Sequence, residues 1–335
     1  MKKLINKIRK KPPQRITDAT VDEHREIILK QGRKFRYSVD NARHRMMLGA
    51  AAVGGAAILV FSGLMALDLY ALQGRSDFTF QVVKTVPLPV ANVNGAMVRY
   101  SDYLLLLRSS IFSIEQQRGI LDDSEDSRRR IDYYKRASLN GAIEYALALR
   151  LSGEHGIKVL DSDVDQAVLE YRITMSGGER SEASFDLIIQ NGLGLTNSEY
   201  RRLLFLSLVK RQVMAAMDEA ATAEAARAAE AVAAADGDLN KGVSDITTFN
   251  DSGGAVSPEN LDGGRARVAW GLEVGEVSEP FLSRTGDAYF IVKTTAKTGS
   301  TVSYESLRIP LTAFNDFLQE LRDNGRIHEF IRLES

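Results

Sequence analysis

The polar pattern of the chain is interrupted once at length, by the uncharged apolar run from Met46 to Leu67. At about 1.5 Å rise per residue, such a run in helical form spans the ~30 Å hydrocarbon core of a bilayer. Its glycines weaken a soluble helix but are common in spanning ones. Arg43 and Arg45 close one edge, and Asp68 and Arg75 mark the other. The pattern therefore predicts a single N-terminal transmembrane helix over residues 46–70, with Met47–Leu67 in contact with the lipid bilayer. A cleaved signal peptide would have a short basic region, a shorter apolar core and a small-residue cleavage site. Here 45 residues precede the run and no such site comes after it, so an uncleaved anchor is expected.

Beyond the run, period and punctuation change several times. Residues 78–98 alternate and are rich in β-branched side chains, which predicts extended chain. Within them, Asn94-Gly95 between apolar flanks is a hairpin signal. Helices are expected over Tyr103–Gln117, about Ser127–Ser152, from Asp161 or Ser162 through Tyr171, and over Ser184–Gln190. A long helix is expected from Tyr200 to about Ala235, its Ala-rich last third having high helix propensity and little to bury. After Asp236-Gly237, short strand-like pieces appear at Ile246–Phe249, Val277–Ser283, Tyr289–Thr294 and Glu305–Leu311. A last helix, Phe314–Leu321, stops at Gly325, and Ile327–Leu333 reads as a final strand. The fold class is α+β: mainly helical to about residue 235 and mixed beyond.

Charge sharpens this division. The formal net charge of the 335 residues is −1, yet residues 1–45 carry 14 Lys and Arg against 5 Asp and Glu. From residue 68 onward the balance reverses, to 29 against 39. By the positive-inside rule the basic tail 1–45 stays cytoplasmic and the C-terminal portion lies outside, so a single-pass plasma-membrane protein is expected. The tail can touch anionic headgroups. It lacks the aromatic interleaving of a nucleic-acid surface, and no nucleic-acid partner is expected. Ala50/Gly54 and Ala51/Gly55 place small residues four apart, as helices that pair into a homodimer do. The simpler reading is a helix rich in small residues.

Chemistry is sparse. Cysteine is absent, which removes disulfides, thiolate catalysis and zinc–cysteine sites. Asp161-Ser-Asp163-Val-Asp165 has Gln166 and Arg172 where a calcium loop needs Gly and Glu, so it reads as acids at a helix N-terminus. Gly192-Leu-Gly194 lacks the rest of a dinucleotide fingerprint. His155 fits a stabilising cation at a helix end. No catalytic residue, metal site or cofactor is expected from spacing.

Three motifs in order carry a resemblance. Val93-Asn94-Gly95-Ala-Met-Val98 with Asp102-Tyr103-Leu104 resembles the start of SurA-type chaperone domains. Gly156-Ile-Lys-Val-Leu-Asp-Ser-Asp-Val164 and Gly194-Leu-Thr-Asn-Ser-Glu-Tyr200-Arg-Arg-Leu-Leu resemble that family's later linker and helix start. The next segment resembles a parvulin-type prolyl isomerase domain. Ala223–Ala231 looks like its first helix, Gly237-Asp238-Leu239 and Ser244-Asp245 like the stretch after that helix, and Leu272–Phe281 like its helix-to-strand turn. Thr285-Gly286-Asp287-Ala288-Tyr289-Phe290-Ile291-Val292 looks like its last strand.

The resemblance implies a helical chaperone domain over 76–217, a degenerate parvulin-like domain over 218–299, and a strand-helix-strand segment over 300–335 completing the core. The family's opening strand, which carries a histidine, is not visible before Ala220. A strand ending Leu307-Arg-Ile-Pro-Leu311 is the candidate to fill its place from the C-terminal side, with the histidine position empty. Tyr289-Phe290 stands where a second histidine is usual. The function so implied is a membrane-anchored chaperone or foldase that binds unfolded or nascent secreted polypeptides, with Phe249, Trp270, Phe281 and Tyr289 as client-facing candidates. An active prolyl isomerase and a structural subunit of a membrane complex are the alternatives.

Overall fold

The computed structural model describes residues 17–119, 124–174, 178–241, 253–260 and 262–333. It is a mixed α+β structure whose strands are all paired antiparallel. Two units form, residues 1–67 and 68–335.

Among the described residues, the first unit is one helix, α1 (Asp18–Ala66). At its start the Thr17 amide donates to the Thr20 hydroxyl at 2.9 Å. The helix begins far upstream of the apolar run, a start the sequence pattern does not announce. Arg43–Leu72 has mean hydropathy 2.1 and is long and apolar enough to cross a membrane. A π-helical turn, Leu67–Leu72, comes after α1.

The second unit opens with α2 (Asp77–Thr85). This overturns the expectation of extended chain from residue 78. The Ser76 hydroxyl accepts the Thr79 amide at 3.1 Å, and Phe80 and Val83 bury one face of the helix. Capping and burial outweigh the weak β preference of the sequence. The hairpin β1 (Pro89–Val93) and β2 (Ala96–Arg99) turns on Asn94 (φ 49°) and Gly95 (φ 89°). Both positive angles are what a tight two-residue hairpin turn demands.

Five helices make up the helical body: α3 (Tyr100–Arg118), α4 (Glu125–Glu154), α5 (Asp161–Arg172), α6 (Glu182–Leu193) and α7 (Asn197–Met217). A short hairpin of β3 (Ile173–Thr174) and β4 (Gly178–Glu179) lies between α5 and α6. Leu104, Leu107, Leu139, Ile143, Leu147 and Leu206 are fully buried between α3, α4 and α7. Each such side chain contributes about 1.5–3 kcal/mol on leaving water. One charged pair is built into this packing. Asp102, 7% exposed, receives Arg202 Nε at 3.1 Å and Nη2 at 2.9 Å. Gly194 ends α6 in the left-handed region (φ 66°), where a Cβ would stand 2.5 Å from Cγ of Phe112 on α3. Glycine is required there by conformation and by space.

The long helix expected from Tyr200 is two helices. Asp218 breaks it, and α8 (Glu219–Ala234) starts anew. The Asp218 carboxylate accepts the Ala221 amide at 3.0 Å and the Thr312 and Ala313 amides at 2.8 and 3.2 Å. It thus caps α8 and the start of α10 (Ala313–Asp323) together. Nor is the Ala-rich stretch without a buried face. Ala221, Ala225, Ala228 and Val232, at helical spacing, are buried against the central strands of a four-stranded sheet. Small side chains let the helix axis approach the sheet closely.

This sheet runs β5 (Gly253–Val256), β8 (Val302–Pro310), β7 (Ala288–Lys297), β6 (Phe281–Leu282). β7 and β8 form its long central pair, from Ala288↔Pro310 to Lys297↔Val302. The expected strand Val277–Ser283 is reduced to β6 and a single bridge, Val277↔Lys293. The expected strand Ile246–Phe249 lies outside the described residues. After β8, α10 buries Phe314, Leu318 and Leu321 and packs on α7. The last strand, β9 (Ile327–Glu329), then pairs with β1 to give the order β2-β1-β9. Arg136 on α4 fixes it: its Nη1 donates to both carboxylate oxygens of Glu329, at 2.8 and 2.7 Å.

Candidate functional site

The four-stranded sheet has two different faces. Alternation along β7 sends Ala288, Phe290, Val292 and Thr294 one way and Tyr289, Ile291 and Lys293 the other. The first face carries α9 (Arg265–Gly271), a helix the sequence pattern does not announce. Ala266 and Ala269 pack there with Phe290, Val292, Val302 and Tyr304. The Thr294 hydroxyl donates to the Ala269 carbonyl at 2.8 Å. Asp262 organises the start of α9: its carboxylate accepts the Gly264 and Ala266 amides and, at 2.6 Å, the Tyr304 hydroxyl.

Arg265 fills the space over this face. Its guanidinium carbon lies 4.9 Å from the Phe290 ring centre and 5.7 Å from that of Tyr304. It donates to Ser306 Oγ at 3.2 Å. Cation and ring faces attract through the ring quadrupole, so Arg265 is held against both rings.

Trp270 and Phe281 are half-buried against this same layer. Phe281 meets Phe290 at 6.0 Å between ring centres, and Lys297 Nζ lies 5.1 Å over Trp270. Tyr289 is on the opposite face, its hydroxyl 3.3 Å from Thr222 Oγ1 of α8. Lys293 on that face donates to the Gly237 carbonyl at 2.9 Å. The sheet therefore separates Tyr289 from Trp270 and Phe281. Phe249 lies outside the described residues.

Beside β7, Asp287 accepts from Ser283 Oγ at 2.7 Å, from the Thr285 hydroxyl, and from Arg308 Nη2 at 2.8 Å. Burial opposes its charge, but these donors and the Arg308 charge hold its carboxyl down at about 2. The cluster pins the β6–β7 turn. Among the described residues no group of three or more His, Asp or Glu side chains is placed to hold a metal ion.

The helical body carries open surface of its own. Leu160 and Ile173 flank α5, and Leu187 and Ile188 lie on α6; all four are exposed. A cleft of about 240 Å³ opens between α5 and α7, lined by Tyr171, Leu204, Leu208 and Arg211 among others. A second, of about 280 Å³, lies between α3 and α4 and is lined by Ile114, Arg129, Arg130, Tyr133 and Tyr134. Tyr133 is 67% exposed and meets Tyr134 edge to face at 5.1 Å. The sequence alone singles out none of these positions. Exposed apolar residues on amphipathic helices carry no mark of their own, and only Tyr133-Tyr134 stands out as a pair.

No protein-family model, curated protein or solved structure matches the chain.

Proposed function

We propose that this protein is a membrane-anchored, extracytoplasmic chaperone that holds unfolded or nascent secreted polypeptides without catalysing a reaction on them. The basic tail lies on the cytoplasmic side of the membrane, and Met47–Leu67 crosses it. The observation that carries the reading is Arg265 stacked over Phe290. The SurA and parvulin likeness places a histidine at Tyr289-Phe290, and a phenylalanine under an arginine stands there. Prolyl isomerisation faces a barrier of ~18–20 kcal/mol. Lowering it requires polar groups aimed at the twisted amide, and the guanidinium of Arg265 is engaged with Phe290, Tyr304 and Ser306 instead.

Two further features support the likeness. The hairpin at Asn94-Gly95 leads into a helical body and is closed by the last strand of the chain. β8, which comes after β7 in sequence, lies between β5 and β7, where the likeness calls for an opening strand with its histidine position empty. Binding is a property of the helical body, where exposed apolar side chains and aromatic-lined clefts meet extended chains with little sequence preference. Occupying an unfolded chain lowers its free concentration and hence its aggregation.

The test is the full-length chain in lipid nanodiscs, assayed twice. It suppresses aggregation of a chemically unfolded client at stoichiometric amounts, and it leaves the isomerisation rate of an Xaa-Pro peptide at the uncatalysed value. Catalysis abolished by Tyr289→Ala would establish the isomerase reading instead. No suppression with several unfolded clients would favour a structural subunit.

A further inference from the structure

A second cleft adjoins the one between α5 and α7, and its chemistry differs. It has a volume of about 140 Å³ and is lined by Tyr171, Arg180, Glu259, Asn260, Arg267 and Arg284. Four separate pieces of chain meet there: the end of α5, the segment after β4, the turn after β5 with α9, and the β6–β7 turn. Three guanidinium groups face one carboxylate. Arg180 approaches Glu259 at 3.6 Å.

Arg267 makes no ion pair among the described residues; it donates to the Glu170 and Ile173 carbonyls at 2.7 and 2.9 Å. Those neutral acceptors fix its position, and Glu170 and Glu259 favour its charge from nearby without forming an ion pair with it. Burial first, and then Arg284 beside it, outweigh those carboxylates and hold the Arg267 guanidinium below its ordinary value. Arg284 has no carboxylate partner among the described residues; its guanidinium carbon lies 4.8 Å over the Tyr171 ring. A guanidinium stacked in this way keeps its in-plane N–H groups free for a planar acceptor.

Like charges held together in a partly desolvated cleft are costly unless an anion joins them. We propose that this cleft binds a carboxylate carried on a polypeptide, with Arg284 and Arg267 as the receiving pair. The forked donors of arginine match a carboxylate in two parallel hydrogen bonds. The apolar parts of the wall, Tyr171, Ile173 and Pro258, suit the side chain next to the carboxylate. The volume accommodates about one residue, given about 30 Å³ for each displaced water.

Tyr171 and Arg284 also line the neighbouring 240 Å³ cleft, which continues between α5 and α7. The chain leading to the carboxylate extends into it. Asp163 and Glu170 on that side direct the carboxylate away from it and toward the arginine pair. The site stands on its own geometry and does not depend on the holding activity proposed above.

The carboxylate can belong to a chain terminus or to an Asp or Glu side chain, and one experiment separates the two. Fluorescently labelled heptapeptides are titrated with the full-length chain in nanodiscs of neutral lipid, read by anisotropy. One ends in a free carboxylate, one is the same peptide amidated, and one is amidated with an internal Asp. The two carboxylate peptides, or one of them, bind, and binding weakens as salt is raised. Arg284→Gln weakens it about tenfold or more, about 1.4 kcal/mol, with an unchanged melting temperature. The free-end peptide alone binding assigns the terminus; the Asp peptide alone assigns the side chain. Equal binding of the amidated, acid-free peptide, an Arg284→Gln affinity within twofold of wild type, or no binding at millimolar concentration overturns the proposal. So does displacement by inorganic phosphate at the concentrations at which the peptide itself competes, since that marks a general anion site.

Discussion

Replacing Asp218 tests how the second unit is joined. One carboxylate, 8% exposed, serves three backbone amides from two helices distant in sequence: Ala221 in α8, and Thr312 and Ala313 at the start of α10. Asp218→Ala removes the α8 cap, which costs about 0.5–2 kcal/mol. It also leaves the Thr312 and Ala313 amides without their acceptor, about 1 kcal/mol apiece, the low end because Thr312 is exposed and Ala313 half-buried. The sum is about 3 kcal/mol. At about 2–4 °C per kcal/mol for a unit of this size, the melting temperature falls by about 6–12 °C. Asp218→Asn keeps one acceptor oxygen, can serve one helix but not both, and falls between. Burial pushes the Asp218 carboxyl up, but the amides of Ala221, Ala313 and Thr312 pull it down further, to a net value below the ordinary one. A depressed carboxyl stabilises above its unfolded value and loses that contribution as pH falls through its folded value. The gap between wild type and Asp218→Asn is therefore full at neutral pH and closes in acid. The assay is thermal unfolding of the full chain in non-ionic detergent, read by near-ultraviolet circular dichroism. A melting temperature of Asp218→Ala within about 1 °C of wild type would mean that the shared carboxylate does not join the two helices.

Two further substitutions probe separate points. Gly194→Ala forces a side chain into the left-handed region and into the Phe112 ring. It lowers stability by at least about 1–3 kcal/mol, and adding Phe112→Ala relieves only the steric part; a Gly194→Ala variant as stable as wild type in urea unfolding contradicts the packing described. Asp287→Asn weakens the β6–β7 turn by about 1 kcal/mol at neutral pH, the full linkage value being reduced because the carboxylate is partly solvated and screened. With the folded carboxyl at about 2 against an ordinary ~3.9, this difference is complete above about pH 5, shrinks as pH falls through about 2 and is gone near pH 1; a gap that stays constant between those limits disproves it.

Much of the helical body is legible in the sequence because its signals are local. The apolar run, the Asn94-Gly95 turn and the helices α3 to α7 each rest on neighbouring residues. Pattern and structure part where tertiary partners decide. Residues 77–85 alternate like a strand, but Ser76 caps them and α3 buries Phe80 and Val83. Asp218 reads as one more polar residue in a long helix until α10 brings two amides to it. The Ala-rich face of α8 looks idle until β7 and β8 cover it. Among the candidate site residues, Trp270, Phe281 and Tyr289 are aromatics near one another in sequence. Strand alternation puts Tyr289 on the far face, a consequence of odd and even positions that the sequence already contains. The arginine cleft is not legible in this way, because Tyr171, Arg180, Arg267 and Arg284 come from four segments and no spacing links them.

Whether this chain holds unfolded polypeptides is decided by equilibrium binding of one client in two states. A reduced, permanently unfolded protein and its native, disulfide-bonded form are each titrated with the full-length chain in nanodiscs. Saturable binding of the unfolded form is expected, at least tenfold tighter than any binding of the native form, about 1.4 kcal/mol. Equal affinity for both forms, or no binding of the unfolded one, would rule out a holding chaperone.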